Sequence, residues 1–132
     1  MIALDTNILI RFLVKDDKKQ AEFVYQKFKQ AELEQEVFFI PLLVILEVVW
    51  VLQSAYHISD KDILRALSQL LLMPILNFEK QSVIQTFVTS NYDTKFDLSD
   101  LLIGLSATTS NCEFVFTFDK KAAKLKYFKH FH

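Results

Sequence analysis

Hydrophobic and polar positions follow two different spacings along the chain. Short runs of apolar and β-branched residues are typical of buried strands, whereas longer segments with an apolar residue every three to four positions are typical of helices. The runs that predict strands are Ile2–Leu4, Val37–Ile40, Pro74–Phe78 and Glu113–Phe118, with Tyr127-Phe128 as an additional edge strand.

Segments with helical spacing lie between these strands. The predicted helices are Thr6–Val14, a segment capped by Asp16 or Asp17 with an apolar face from Ala21 to Leu33, Leu42 to about Tyr56, Ser59 to about Met73, Glu79–Thr89, Leu98–Thr109 and a short lysine-rich helix after Asp119. The polar stretch 91–95 is expected to form a loop. Strands that alternate with helices indicate a parallel sheet with helices on both faces, and therefore the α/β class.

Composition supports one globular domain over residues 1–132. The chain is 52% hydrophobic and 23% charged, which excludes a disordered or low-complexity protein. A single cysteine, Cys112, excludes a disulfide framework and a cysteine-based zinc site. The start of the chain shows no signal peptide, and the apolar run from Ile40 to Leu52 is too short to span a bilayer. We therefore expect a soluble cytoplasmic protein.

Charge is distributed unevenly, although the net charge is only −1. Residues 120–132 contain five lysines and no acidic residue, so a basic end follows an acidic body. Such an end could attract a polyanion or could simply be a solvated tail. The aromatic residues among these lysines, from Tyr127 to Phe131, could likewise stack on RNA bases or form an edge strand.

Four acidic residues are candidates for chemistry. Asp5 and Asp119 each follow a predicted strand, and the ligand crevice of a parallel sheet lies at the carboxyl ends of its strands. Asp100 lies in the first turn of an apolar helix. Glu47 lies within the apolar segment 42–52, where a buried carboxylate costs several kcal/mol unless it is paired. We therefore expect a positively charged partner for Glu47.

Each of these acids also has a purely structural explanation. The acids that could simply cap helices, for about 1 kcal/mol each, are Asp5, Asp97 and Asp119. Asp100 could complete a capping box, and Glu47 could pair with Arg11 or Arg65. If the four candidates converge instead, their carboxylates repel one another unless a cation neutralises them. Oxygen ligands without His or Cys favour Mg²⁺ or Mn²⁺, which support phosphodiester hydrolysis.

The same residues lie in motifs that resemble a known family. Leu4-Asp5-Thr6-Asn7-Ile8-Leu9, Glu47 in an apolar helix, the segment from Leu98 to Gly104 and Phe116-Thr-Phe-Asp119 look like the four acidic motifs of PIN-domain ribonucleases. At this length the chain is most similar to the VapC-type toxins of bacterial toxin–antitoxin pairs. The resemblance covers essentially the whole chain, in the order of the family's motifs.

The resemblance implies a three-layer α/β/α fold with a central parallel sheet of four to five strands and an endoribonuclease activity that depends on Mg²⁺ or Mn²⁺. Asp5, Asp100 and Asp119 would bind the metal directly, and Glu47 would bind through water or act on a second ion. The residues that would orient these acids or the metal waters are Asn7 and Thr117.

The resemblance also implies partners. Such toxins usually form homodimers, are inhibited by an antitoxin of the VapB type, and cleave RNA, often transfer RNA. Two predicted helical segments carry more apolar residues than one helix face can bury, namely Leu42–Leu52 and Leu64–Met73. The additional apolar residues could form these contacts, or both helices could be central to the core. After Asp119 the chain departs from many relatives, and the residues there that could contact phosphate are Lys120, Lys121 and Lys124.

Two other classes of protein remain possible at the level of sequence. A receiver-type phosphoacceptor has a similar length and architecture, but it requires paired acids after the first strand, where Asp5 stands alone. A metal-free binding module would use the apolar helices for a partner. Replacement of Asp100 by Asn separates the nuclease from the binding module, because it should abolish activity or metal binding in the nuclease and have little effect in the binding module.

Overall fold

A computed structural model describes residues 1–90 and 96–132. The predicted loop at 91–95 lies outside the described residues. Contacts within the chain divide it into two compact units, Met1–Gln81 and Ser82–His132. No helix among the described residues is long and apolar enough to cross a membrane. A single domain over residues 1–132 stays a prediction.

The first unit combines three short parallel strands with four helices. The strands are β1 (Ile2–Ala3), β2 (Phe38–Ile40) and β3 (Leu76–Phe78), in the order β1-β2-β3. The helices are α1 (Thr6–Val14), α2 (Lys18–Glu34), α3 (Leu42–Ser54) and α4 (Asp60–Leu71). Their buried apolar residues, among them Leu9, Ile40, Ile45, Val48, Ile63 and Leu67, form the core of this unit.

Local side-chain hydrogen bonds determine where these helices begin. Asp5, Asp17 and Ser59 each accept a hydrogen bond from a backbone N–H in the first turn of the helix that follows. Helices α1 and α2 both end at a residue with left-handed backbone, Lys15 at φ 61° and Gln35 at φ 56°. The predicted starts are therefore confirmed to within a few residues.

In its described residues, the second unit contains two parallel strands and two helices. Helix α5 (Gln81–Thr89) begins at the last residue of the first unit, and α6 (Leu98–Thr109) follows after an N-cap at Asp97. Strands β4 (Val115–Thr117) and β5 (Phe128–His130) flank a short 3₁₀ turn at Ala122–Lys124. The buried side chains include Ile84, Phe87, Leu98, Leu101, Leu102 and Leu105.

The α/β class with parallel strands is confirmed, but the strands are shorter than expected. The expectation was one sheet of four to five strands. The described residues contain five strands, which form one hydrogen-bonded group of three and another of two. Turns shorten the predicted strands: the backbone N–H of Leu76 donates to Met73, so residues 74 and 75 lie in a turn rather than in β3. Helices α3 and α4 also end earlier than predicted, at Ser54 and Leu71.

Candidate functional site

Asp5 is placed by the junction between β1 and α1. Its side chain is exposed, and its Oδ1 accepts a hydrogen bond of 2.7 Å from the backbone N–H of Thr6. The helix-cap interpretation of Asp5 is therefore confirmed, and capping leaves the carboxylate at the surface. Asn7, two residues after Asp5, is also exposed. It lines a groove of about 660 Å³ that Arg11 and Lys19 also line.

Thr6, between these two residues, is a feature that the sequence did not single out. Only 4% of its surface is exposed, and its Oγ1 has no hydrogen-bond partner among the described residues. An unsatisfied buried hydroxyl costs about 1–3 kcal/mol. The signal that could have identified it is its place as a polar residue at the start of a helix, shortly before the apolar run 8–10.

Glu47 is exposed, so the expectation of a buried charge that needs a positive partner is wrong. The reason is the geometry of α3: Leu43, Glu47 and Trp50 share one face at helical spacing, and Leu43 and Trp50 are 77% and 61% exposed. The opposite face, which carries Ile45 and Val48, is fully buried. An apolar sequence around an acid therefore did not mean a buried acid.

The two arginines considered as partners of Glu47 have other partners. Arg11 lies 3.5 Å from Asp16, and Arg65 lies 3.7 Å from Asp62. Among the residues that the structure describes, Glu47 makes no ion pair. Its carboxylate is therefore a solvated charge on the exposed face of α3.

In the second unit, Asp100 has a perturbed environment. It lies in the first turn of α6 and is half-buried. Burial of its carboxyl, followed by the negative charges of Asp97 and Asp119, raises the pKa of Asp100 above its usual value. The second unit thus brings Asp97 and Asp119 close enough to Asp100 for their negative charges to act on its carboxyl.

Asp97 has the capping role predicted for it. Its Oδ1 accepts a hydrogen bond of 3.0 Å from the backbone N–H of Ser99. The bond goes to Ser99 rather than to Asp100, so the capping box considered for Asp97 and Asp100 does not form among the described contacts. Among the described contacts, the Asp100 carboxyl therefore does not cap its own helix.

Asp119 is held by the turn that follows β4. Its Oδ1 accepts hydrogen bonds from the backbone N–H groups of Lys121 and Ala122, at 2.8 and 3.3 Å. Its own N–H donates to Oγ1 of Thr117 at 3.0 Å. The N-cap of the short 3₁₀ helix is Lys121, so Asp119 holds the turn before that helix and does not cap it as predicted. Thr117 contacts the backbone that carries this acid. Three further exposed side chains follow in this segment, those of Lys120, Lys121 and Lys124.

These acids are of the right chemical type for a hard divalent cation. Their donors are carboxylate oxygens, and a cation beside Asp100 would favour its charged form against the burial and the neighbouring negative charges that raise its pKa. In residues 1–90 and 96–132, no group of three or more His, Cys, Asp and Glu side chains is arranged to hold a metal ion. The first unit carries Asp5 and Glu47, and the second carries Asp100 and Asp119. The assignment of these four residues as ligands stays a prediction.

Comparison with known proteins gives two matches. The family model of the PIN domain matches residues 2–126, which include residues of both units. A protein of Aquifex aeolicus (strain VF5) described as a VapC ribonuclease is 26% identical over 125 residues, which are 95% of this chain and 92% of that protein. No solved structure matches the chain significantly.

Proposed function

The chain belongs to the PIN domain family, and on that premise we propose that it is a metal-dependent endoribonuclease that acts as the toxin of a toxin–antitoxin pair. The likeness to a VapC ribonuclease over nearly the whole chain supports the ribonuclease activity. The observation that carries the proposal is the placement of Asp100 near Asp119 and Asp97, because it concentrates negative charge where the third and fourth acidic motifs lie.

The proposal assigns the metal to the four acids of the family motifs. Asp5, Asp100 and Asp119 would bind Mg²⁺ or Mn²⁺ directly, and Glu47 would bind through water or serve a second ion. A bound ion of this kind activates water for attack on a phosphodiester and stabilises the leaving oxygen.

The chain's own residues set the positions of these carboxylates. The backbone hydrogen bonds of Asp119 fix its side chain, and Thr117 fixes the backbone that carries it. Exposure of Glu47 is compatible with a role through water, since a solvated carboxylate retains its hydration. Asn7 would orient the metal waters beside Asp5.

RNA is the proposed substrate, and transfer RNA the proposed class of RNA. Lys120, Lys121 and Lys124 are exposed and make no ion pair among the described residues, so they are suited to contact phosphates. RNA as the substrate would place the activity in the cytoplasm.

The proposed protein partners are a second copy of the chain and a VapB-type antitoxin. Exposed apolar side chains on α3, Leu43 and Trp50, support a surface for such contacts. A groove of about 330 Å³ in the first unit supports a second one, since Ile2 and Phe23 in its lining are 65% and 67% exposed.

The proposal is tested by incubating purified protein with mixed cellular RNA in Mg²⁺, in Mn²⁺ and in EDTA. We expect discrete fragments only with a divalent ion. Asp100→Asn should lower the rate by more than roughly 100-fold, since even residues behind the metal ligands contribute about 10- to 100-fold. Binding of Mn²⁺, measured by calorimetry, should weaken in the same variant.

Asp62→Asn is the matched control, because Asp62 is the third residue of α4 as Asp100 is of α6. It should cleave RNA at the wild-type rate. Cleavage that is indifferent to EDTA and to Asp100→Asn would contradict a carboxylate-held metal. No cleavage and no Mn²⁺ binding by the wild-type protein would favour a metal-free binding module.

A further inference from the structure

Two histidines lie together at the carboxyl end of β5. This strand begins at Phe128, one residue after the additional strand that the sequence predicts, and ends at His130. His132 follows two residues later, and the Nδ1 atoms of the two rings lie 3.3 Å apart. Both rings belong to one segment of three residues within the second unit, so their separation is set inside that segment. We call His130 and His132 the histidine pair.

The backbone of the histidine pair is bonded to the neighbouring strand. His130 pairs with Thr117 of β4 in the parallel register. The N–H of Phe131, between the two histidines, donates to the carbonyl oxygen of Thr117 at 2.7 Å and continues the strand pairing past His130. Side chains two residues apart on a strand lie on the same face. The pairing with β4 therefore brings both imidazoles to one face of this segment.

The separation of the two nitrogens fits a shared metal ion. A tetrahedral ion with metal–nitrogen bonds of about 2.0–2.1 Å holds two ligand nitrogens about 3.3–3.4 Å apart. A hydrogen bond between the rings is the other interpretation, but the observed 3.3 Å exceeds the usual range of about 2.7–3.2 Å. The separation of the two Nδ1 atoms is thus closer to that of two metal ligands.

A second contact shows which atom a metal would replace. Nδ1 of His132 lies 3.0 Å from the carbonyl oxygen of His130. A carbonyl oxygen only accepts, so this nitrogen carries the ring proton when it bonds to the backbone. A metal ion on Nδ1 takes the place of that proton, which moves to Nε2 and leaves the imidazole neutral. Metal binding therefore needs a change of tautomer and no change in the charge of the ring.

The chemistry of the ligands selects the class of metal. Imidazole nitrogen suits Zn²⁺, Cu²⁺ and Ni²⁺, whereas Mg²⁺ and Mn²⁺ prefer carboxylate oxygen. Lys129, next to His130, would repel a cation if its ammonium group lay beside the rings. Its Nζ instead lies 4.4 Å from the ring centroid of Phe114, and strand alternation places its side chain on the other face of β5. The adjacent positive charge is therefore held on the face opposite the pair.

We propose that the histidine pair is a metal site separate from the four acids. It binds one ion of the class that imidazole prefers, with Zn²⁺ as the representative, through Nδ1 of both rings and with water at the remaining positions. The ion ties His130 to His132 and so stabilises the segment whose N–H bonds to Thr117. The site differs from the carboxylates in its ligands and in its metals, and it does not depend on the proposed nuclease activity.

The test is a calorimetric titration of the full-length protein, prepared without a histidine tag, with Zn²⁺ in an excess of Mg²⁺ that supplies the carboxylates. We expect one Zn²⁺ per chain. His132→Asn should weaken the affinity at least about 10-fold, since even groups behind a ligand contribute about 10- to 100-fold. Zn²⁺ should also slow amide hydrogen exchange at Phe131 in the wild type and leave it unchanged in His132→Asn.

His57→Asn is the matched control, because His57 is the third histidine of the chain and lies in the first unit. Its backbone is left-handed, at φ 53°, a conformation that asparagine tolerates. A second control, Cys112→Ser, removes the exposed thiol, which is another ligand for Zn²⁺. Both variants should bind Zn²⁺ with the affinity of the wild type.

Absence of Zn²⁺ binding by the wild type, or equal affinity of the wild type and His132→Asn, would overturn the inference and leave the pair as a hydrogen bond between two rings. One Zn²⁺ per two chains would overturn a site within one chain. Asp100→Asn should keep Zn²⁺ binding while it loses cleavage, so failure of the nuclease and failure of this site are separate results. Zn²⁺ binding lost in Asp100→Asn and kept in His132→Asn would assign the ion to the carboxylates.

Discussion

Gly104, the only glycine of the chain, lies where helix α6 passes close to the segment that enters β5. A Cβ atom at this position would lie 2.7 Å from Cβ of Tyr127 and 3.0 Å from a ring carbon of Phe128. The first of these atoms is attached directly to the backbone, so rotation of a side chain cannot relieve the contact. The absence of a side chain therefore allows the helix and this segment to pack closely.

Gly104→Ala should lower the free energy of unfolding by about 1–2 kcal/mol. Overpacking lowers the free energy of unfolding by about 1–3 kcal/mol, and the better helix propensity of alanine raises it by up to about 1 kcal/mol. Urea denaturation followed by circular dichroism measures the change. Thr109→Ala, at an exposed position of the same helix, should be neutral or slightly stabilising. A Gly104→Ala protein more stable than the wild type would contradict the close contact.

At the scale of elements, a polar cluster connects the ends of three helices in the first unit. The Tyr56 hydroxyl, just beyond α3, donates to Asp16 Oδ2 at 2.9 Å, and Arg11 of α1 lies 3.5 Å from Asp16 Oδ1. Arg11 also donates to Gln20 of α2 at 2.6 Å. The Tyr56 hydrogen bond, together with Arg11, lowers the pKa of Asp16 below its ordinary value of 3.8.

The cluster predicts a pH dependence of stability. Because the pKa of Asp16 is lower in the folded state, its contribution is fully present above the ordinary pKa and is lost as the pH falls through the folded pKa. The wild type should therefore exceed Asp16→Asn in stability at neutral pH, and the difference should shrink below about pH 4. The effect is small, since Asp16 is exposed.

Urea denaturation at several pH values tests this dependence. Tyr56→Phe removes the hydroxyl that donates to Asp16 and should reduce the same difference at neutral pH. A difference between wild type and Asp16→Asn that stays constant from neutral pH to acid would show that the carboxylate charge contributes nothing.

At the scale of the whole molecule, one match to the PIN family spans residues of both units. A single domain predicts a single cooperative unfolding transition, as is usual below about 150 residues. Amide hydrogen exchange tests whether the two units unfold together. The buried residues Val48 of α3 and Leu102 of α6 belong to different units. Their slowest amides should exchange at the same free energy. A clearly lower value for one helix would indicate two independently unfolding units.

The sequence by itself determined the features that depend on neighbouring residues. The starts of α1, α4 and α6 follow from Asp5, Ser59 and Asp97, whose side chains bond to N–H groups at most three residues away. The acidic motifs also depend on neighbouring residues. Each is a short local pattern, and their fixed order along the chain identified the family. Local bonds and local order can be read along the chain.

Only the tertiary structure decided which surfaces are exposed and which strands pair. Ile2 pairs with Phe38 and Phe38 with Leu76, and no local pattern specifies such distant partners. Glu47 is exposed, although its neighbours along the chain are apolar, because burial of a helix depends on which face meets the rest of the fold. Exposure is a property of packing between distant segments, which sequence spacing alone does not contain.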